Sequence, residues 1–327
     1  MKRRTLLAAL PALASPLLVP SLARAADAPW PSRVVRIITG FAPGSGSDVL
    51  ARALAERLSA ALGQPVIIDN RVGASVLIAL RAAMAAPADG HTLLFTNSSS
   101  TVMYEAVKPD LGIDFTRNPV PVVAAATGGI LLLVNPAFPA RDMKELVALV
   151  KANPGKYQYG SWAIASNGHM TMEWLKTHAG LKADHVPYKG VPPLLTDLAS
   201  GILPIGWSDL TTALPFIQTG KVRAIGVTGT ARTPALPDLR TFDEQGFPFR
   251  IRAWVGFFAP GATPPAITAR LATEVNKILA TPQFVAVMRQ LNLDSPPLWT
   301  QEQFRAQVAR DRLEWQQIAK ASQITAD

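Results

Sequence analysis

The sequence predicts an α/β protein of two lobes, each a mainly parallel sheet flanked by helices, with crossing strands joining the lobes. Runs of β-branched residues alternate with helical patterns through most of the 327 residues, which is typical of sheets covered by helices. About ten strand candidates are more than one open sheet comfortably holds. No linker rich in Gly, Ser and Pro divides the chain. We therefore expect one lobe from 26–126 plus 254–327, and the other from 127–253.

The first 25 residues are predicted to be a signal peptide. A basic start at 2–4 precedes an apolar stretch over 5–20, and Ala23 and Ala25 place small residues at the −3 and −1 positions of a cleavage site. Cleavage near Ala25 leads us to expect an exported protein of the Gram-negative periplasm. The general secretory route is favoured, and the adjacent arginines at 3 and 4 leave twin-arginine export open.

The first predicted strand, 34–38, is rich in Val and Ile, and a helix over 48–62 follows it. Leucines recur every four residues in this helix, and Gly63 stops it. The same patterns and Pro or Gly breaks define the other elements of the first half. They are predicted as strand 65–69, helix 75–86, strand 92–95, strands 120–126 and 130–134, and helix 143–152.

The alternation continues in the second half. Its elements are predicted as strand 157–161, helix 167–178, strand 184–188, helix 192–200, strand 203–207, helix 212–218, and strands 222–227 and 254–258. From 265 to about 320 the chain is largely helical, and core packing explains its apolar spacing. Ligands of such sheets bind beyond the carboxyl ends of the strands. The loops after 38, 95, 161 and 207 therefore predict the cleft.

Residues 41–48 are the most informative segment of the chain, because a strand turns through Pro43, Gly44 and Gly46 directly into a helix. Such a turn exposes backbone N–H groups beside the positive end of the helix dipole, which suits an anion. An ordinary tight connection is the alternative. Asp48 lies in the first helical turn, where it either stabilises its own helix or contacts a ligand.

Composition excludes several classes of function. The leader holds four basic residues and no acid, so the rest has 28 basic and 23 acidic residues and a net charge of +5. Without a basic stripe interleaved with aromatics, nucleic acid is not an expected partner. The chain has no cysteine, which excludes disulfides and thiolate sites. The four histidines lack zinc-site spacing, so we expect neither a metal nor another cofactor.

Several ordered motifs give a resemblance to a known family, the extracytoplasmic solute receptors of tripartite tricarboxylate transporters, or Bug family. The resemblance runs from about Trp30 to the end of the chain. The motifs are Phe-x-Pro-Gly at 41–44 with Asp48, Gly-Gln-Pro-Val at 63–66, Asp-Asn-Arg-x-Gly at 69–73, Ala-Asp-Gly-x-Thr-Leu-Leu at 88–94, Val-Pro-Tyr-Lys-Gly at 186–190, Ala-Leu-Pro at 213–215, Gly-Lys-x-Arg-Ala at 220–224 and Ala-Leu-Pro-Asp at 235–238.

The resemblance implies a periplasmic-binding-protein-like clamshell that closes on a small organic carboxylate. The receptor would deliver this solute to the membrane permease of a tripartite transporter, without catalysis, and we expect a monomer. Loop N–H groups, hydroxyls and helix starts would hold the anion. The residues predicted to contact the ligand are Phe41, Ala42, Ser45, Gly46, Asp48, Asn97, Ser98, Ser99, Ser166, Asn167, His169, Trp207, Ser208 and Asp209.

The chain departs from the family pattern where the ligand should bind. Ser45 stands where a second Gly is usual, and residues 163–166 replace a glycine-rich turn before His169. An Asp-Asn pair of the family becomes Ser208 and Asp209. These departures leave the fold prediction intact but not the identity of the ligand.

Two features bear on that identity. Trp162, Trp207 and Tyr104 either shape a slot for an aromatic solute or pack in the core. Asp209 either binds the ammonium group of an amino-acid-like solute or bonds through water. Each alternative remains open from the sequence.

Other classes of function remain as alternatives. A secreted α/β hydrolase or a nucleotide-dependent enzyme would use a similar fold. However, the glycines at 44 and 46 lack the third Gly of a dinucleotide motif, and no Gly-x-Ser-x-Gly elbow is present. A receptor that feeds a signalling system rather than a permease is the remaining alternative.

Overall fold

The computed structural model of the protein describes residues 30–73, 77–291, 293–294 and 298–324. The predicted signal peptide, residues 1–25, lies outside the described residues, and so does the predicted start of the helix over 75–86. Across the described ranges, no helix is both long enough and apolar enough to cross a membrane.

Two five-stranded sheets form the frame of the molecule, with strands numbered in chain order. The first sheet contains β1 (Val35–Thr39), β2 (Val66–Asn70), β3 (Thr92–Asn97), β4 (Val120–Gly128) and β10 (Ala253–Ala259), in the order β2-β1-β3-β10-β4. We call this sheet and its helices lobe 1. Strands β1, β2 and β3 pair in parallel, whereas β10 runs antiparallel to both β3 and β4.

The second sheet repeats this pattern and, with its helices, is called lobe 2. It contains β5 (Leu131–Val134), β6 (Gln158–Ser161), β7 (Asp184–Pro187), β8 (Ile205–Ser208) and β9 (Arg223–Val227), in the order β7-β6-β8-β5-β9. Strands β6, β7 and β8 pair in parallel, whereas β5 runs antiparallel to β8 and β9.

The structure has the predicted two-lobed α/β architecture with crossing strands, and four of the five strands in each sheet run in one direction. The exceptions are β10 in lobe 1 and β5 in lobe 2, which run against their neighbours. Each sheet has two parallel and two antiparallel pairings. In lobe 1 the reason is the connection between lobes, because β4 leads out to lobe 2 and β10 returns beside it. The predicted boundaries at 126/127 and 253/254 fall within or next to these two strands and stay a prediction.

Helices cover both sheets and begin where the strands end. Lobe 1 carries α1 (Gly46–Leu62), α2 (Leu77–Met84), α3 (Tyr104–Val107), α8 (Pro265–Leu279) and α9 (Pro282–Gln290), together with a π-helical turn at Ser99–Met103. Lobe 2 carries α4 (Met143–Ala152), α5 (Asn167–Ala179), α6 (Val191–Ser200) and α7 (Leu210–Gln218). The starts of α1, α5 and α7 each follow the carboxyl end of a strand and therefore lie at the predicted edge of the sheets.

The last helix, α10 (Gln301–Ala321), packs against both lobes. On the lobe 1 side, the Phe304 ring lies edge-on to Trp254 of β10 with centroids 5.3 Å apart. On the lobe 2 side, the Ser322 hydroxyl just beyond α10 lies 2.9 Å from the Thr177 hydroxyl of α5. A single apolar cluster also continues from lobe 1 into lobe 2. The lobes therefore share a core at the hinge as well as two crossing strands.

Candidate ligand-binding site

Four chain segments meet where the two lobes face each other. The backbone N–H of Asn167, the first residue of α5, donates to the Ser99 hydroxyl of lobe 1 at 3.2 Å. In a second approach between the lobes, a Cβ on Gly46 at the start of α1 would lie 3.9 Å from the γ-methyl of Thr211 in α7. The start of α5 thus faces the turn at Ser98 and Ser99, and the start of α7 faces the start of α1.

The loop at 41–45 is shaped by hydrogen bonds within the chain. Ser45 caps α1, and its hydroxyl accepts the N–H of Asp48 at 3.4 Å. Gly44 has φ of 81°, which a residue with a side chain rarely adopts, and its N–H donates to the Asp48 carboxylate at 2.8 Å. Phe41 is half-buried and lies edge-on to Phe95, and Ala42 is exposed.

Asp48 is buried behind this loop, and both of its carboxylate oxygens are engaged. Oδ1 accepts from Asn70 at 2.7 Å, and Oδ2 accepts from Arg52 at 2.9 Å in addition to the Gly44 amide. Burial alone would raise the pKa of Asp48, but the bonds from Arg52, Asn70 and Gly44 outweigh it and hold this pKa below its usual value. The structure thus places Asp48 as the internal support of the loop.

Two donors at the start of α1 are left for a ligand. Within the described chain, the N–H groups of Gly46 and Ser47 make no hydrogen bond. They occupy the first two helical positions, where orphan N–H groups and the helix dipole favour an anion. Of the predicted contacts in this loop, Gly46 therefore offers its amide, whereas the Ser45 amide already donates to Ala42.

The second loop brings hydroxyl groups to the same cleft. Ser98 is buried, its N–H donates to the Trp254 carbonyl at 3.0 Å, and its hydroxyl has no partner among the described residues. The side chain of Asn97 accepts the Ser100 N–H at 3.0 Å. A polar loop was predicted here, but the chain continues as a π-helical turn from Ser99.

Ser166 caps the third element, α5, with a neutral side chain. Its hydroxyl accepts the His169 N–H at 3.3 Å and donates to the Ser161 hydroxyl at 3.0 Å. The first turn of α5 contains no acidic residue. The positive end of this helix is therefore not neutralised by its own cap, which makes it the strongest local attractor for an anion among the three helix starts.

His169 supports the turn before α5. Its Nδ1 accepts the N–H of Ala165 at 3.1 Å, so the proton of the neutral ring is on Nε2. The ring stacks on His185 at 3.9 Å, and His185 Nε2 lies 2.7 Å from the Ser161 hydroxyl. Burial lowers the pKa of His169 to about 4 and that of His185 to about 3, so both rings are neutral near pH 7.

The strand end at 207–209 contributes less to the cleft than predicted. Trp207 has no exposed surface, and its ring packs at 5.7 Å from Phe242, so the structure does not bring this side chain to the cleft. Gly168 of α5 lies directly on it, since a Cβ there would be 2.5 Å from the Trp207 Cβ. Ser208 is also buried, and its hydroxyl donates to the carbonyl of Asp209 at 2.8 Å.

Asp209 is half-buried and caps α7. Its Oδ1 accepts the N–H of Thr212 at 2.9 Å, and the Thr212 hydroxyl lies within 3.0 Å of both carboxylate oxygens. Unlike Asp48, it forms no ion pair with any described residue. The cap of α7 thus places beside the candidate site a carboxylate that has no ionic partner among the described residues.

Sequence reasoning missed three residues that organise the site. Asn70 bonds both the Phe41 carbonyl and Asp48, Thr211 faces Gly46 across the lobes, and Ala165 adopts φ of 59° in the turn held by His169. Asn70 lies in one of the family motifs, which was the available clue. The positions of Thr211 and Ala165 depend on how the lobes pack, and no local pattern reveals them.

These features define the class of the protein. Two α/β lobes enclose a cleft lined by amides, hydroxyls and helix starts, which is the arrangement of a solute-binding receptor for an anion. The described side chains include no group of three His, Cys, Asp or Glu placed to hold a metal.

The chain belongs to the tripartite tricarboxylate transporter family of receptors, whose model matches residues 50–324. It is 33% identical over 303 residues to a UPF0065 protein from the tcbD-tcbE intergenic region of Pseudomonas sp. (strain P51), covering 91% of this chain and 89% of the relative. The family makes this protein a solute receptor, so the enzyme alternatives are set aside.

Two solved structures from Rhodopseudomonas palustris are similar to this protein. Rpa4515 with adipate has 31% identity and a TM-score of 0.79, covering 90% of this chain and 99% of that one. MatC with bound malate has 27% identity and a TM-score of 0.76, covering 88% and 99%. These similarities confirm the predicted clamshell, and the family and its periplasmic neighbours make this chain a periplasmic protein.

Proposed function

We propose that this receptor captures a small organic carboxylate between its lobes and delivers it to the permease of a tripartite transporter. The observation that carries the proposal is the approach of α5 to lobe 1, where the Asn167 N–H meets the Ser99 hydroxyl. The neutrally capped start of α5 attracts an anion, and the Ser99 hydroxyl meets it from the other lobe. A carboxylate at this position would bond to both lobes at once and hold them closed.

The other predicted contacts complete the proposed cradle. The amides of Gly46 and Ser47 are available to a second oxygen atom or a second carboxylate of the solute. Closure excludes water and strengthens each of these dipolar interactions, because the effective dielectric falls. We keep His169, Asp48 and Ser45 in the site as residues that support the loops.

The solved neighbours support the carboxylate class, because one contains adipate and another malate. The finer proposal of an aromatic solute has weaker support, since Trp207 lies in the core of lobe 2. Trp162 and Tyr104, both partly buried, remain the side chains able to form an aromatic slot.

Delivery to a permease, a monomeric state and cleavage of the leader near Ala25 complete the proposal. Delivery is supported by membership in a family of transporter receptors. A receptor that signals through a membrane sensor would use the same cleft, so the ligand experiment tests capture and an uptake assay tests delivery.

Capture is tested by thermal unfolding of the chain from Ala26 with mono-, di- and tricarboxylates, aromatic acids and nucleotides. A bound solute at 100 times its Kd stabilises the folded protein by about 2.7 kcal/mol, which raises Tm. Ser99→Ala should weaken binding of any stabilising carboxylate about tenfold, because it removes a cross-lobe hydroxyl. Ser200→Ala, at the exposed end of α6, is the matched control and should bind as wild type. Stabilisation by nucleotides alone would overturn the proposal.

A further inference from the structure

We infer that Asp209 selects solutes that carry a cationic nitrogen as well as a carboxylate. This inference rests on the proposed carboxylate capture and narrows the class of solute. It starts from an asymmetry between two neighbouring helices of lobe 2. Ser166, which caps α5, is neutral, whereas Asp209, which caps α7, is charged.

The two helix starts lie side by side. Strands β6 and β8 are adjacent and parallel, with Gly160 opposite Gly206, and such strands are about 4.8 Å apart. The helices α5 and α7 follow the carboxyl ends of these two strands. One edge of lobe 2 therefore presents an anion-attracting helix start next to a carboxylate.

The carboxylate of Asp209 differs from the other acid near the cleft. Asp48 is paired with Arg52 at 2.9 Å and also bonds Asn70 and the Gly44 amide. The Asp209 carboxylate accepts bonds only from Thr212 within the described chain, and no cation lies within ion-pair distance of it there. Its charge is thus available to a group of the solute.

Lobe closure makes this charge decisive. The start of α7 faces lobe 1. The Thr211 side chain of α7 approaches Gly46 of α1, and the Thr211 hydroxyl donates to the Leu291 carbonyl. A carboxylate enclosed without a cationic partner is destabilised by loss of hydration. An ammonium or other N–H cation on the solute supplies that partner, whereas a second solute carboxylate placed there would be repelled.

The test compares matched solutes by isothermal titration calorimetry with the chain from Ala26. The pairs are aspartate with malate, alanine with lactate, and 5-aminopentanoate with adipate, in which an ammonium replaces a hydroxyl or a carboxylate. We expect the amino member of at least one pair to bind about tenfold tighter or more, a difference of about 1.4 kcal/mol. Asp209→Asn should abolish this preference.

The variant retains the helix cap, because Asn caps helices about as well as Asp, and Asp209→Ser gives a second neutral cap. Asp142→Asn is the matched control, since Asp142 caps α4 through the Glu145 N–H and should keep the wild-type preference. If carboxylates bind but the amino members show no advantage, or Asp209→Asn leaves the advantage unchanged, the inference is overturned while the proposed function stands. If neither member of any pair binds and no other carboxylate does, both fail.

Discussion

The backbone N–H of Ala165 donates to Nδ1 of His169, four residues later, at 3.1 Å. This bond closes the turn that precedes α5 and fixes the direction in which the helix start points. The same ring stacks on His185, which contacts the Ser161 hydroxyl. The helix start that we assign to the solute is therefore held from behind by two neutral imidazole rings.

Ala165→Gly should stabilise the protein by about 0.5–1 kcal/mol. Ala165 has φ of 59°, and the left-handed region costs an L-residue roughly 1–2 kcal/mol, part of which the added freedom of an unfolded Gly takes back. Urea unfolding at pH 7 measures the change. Ala269→Gly, on the exposed face of α8, should instead lose about 1 kcal/mol. Destabilisation by both variants would contradict the strain at Ala165.

Stability should fall as the pH drops from about 6.5 to 4. The pKa of His169 is lowered to about 4 by burial. In this pH range the His169 ring is therefore protonated in the unfolded chain but stays neutral in the folded chain. His169 alone accounts for roughly 3 kcal/mol between pH 7 and pH 4. Urea unfolding at four pH values should show that the free energy of unfolding depends less steeply on pH in His169→Gln than in the wild type. A wild-type pH dependence of the unfolding free energy in His169→Gln would contradict this prediction.

Asp311 should make the protein less stable as the pH rises, which is opposite to the effect of His169. It is buried in α10, where burial raises its pKa to about 6 despite bonds from Trp254 and Gln307. The folded chain keeps a proton that the unfolded chain loses above pH 4, so this contribution to stability is lost as the pH rises through 6. Asp311→Asn should therefore gain roughly 2–3 kcal/mol relative to wild type between pH 4 and pH 8. An equal difference at both pH values would contradict this assignment.

Asn70→Ala should weaken both folding and solute binding. Asn70 bonds the Phe41 carbonyl, Asp48 and Arg52, and its loss leaves buried groups unpaired, at a cost of about 1–3 kcal/mol. Because Asp48 then loses a partner that shapes the loop, solute affinity should fall as well. Asn153→Ala, which removes a bond to the Leu149 carbonyl in α4, should lower stability alone. Calorimetric titration with the strongest solute of the panel separates the two variants.

The fold was largely predictable from the sequence, because its alternating apolar patterns reflect which faces are buried. Helix α4 has the predicted bounds, β9 starts one residue later than predicted, and β10 extends one residue beyond the prediction at each end. The antiparallel pairings were not predictable in this way. Strand β5 has the same apolar character whether it runs parallel or antiparallel to β8, since the direction depends on a long-range connection.

The site was predictable in its loops but less so in its side chains. The motifs and the positions of the helices predicted that the starts of α1 and α5 lie at the cleft. Which residues contact the ligand stays a prediction. Whether a polar group faces the solute or the protein depends on distant partners. Asp48 meets Asn70 from another strand, and Trp207 is covered by Gly168, and neither contact has a pattern in the neighbouring sequence.

Helix α10 constrains how the receptor can move and how it should be handled. Because it touches α3 and β4 on one side and α5 on the other, opening requires α10 to slide along at least one of them. The rotation of one lobe relative to the other is then limited by α10 as well as by the two crossing strands. Fusions and affinity tags joined directly after residue 327 would add mass next to a helix that both lobes contact. A tag placed before Ala26 is therefore the better choice for measuring solute binding.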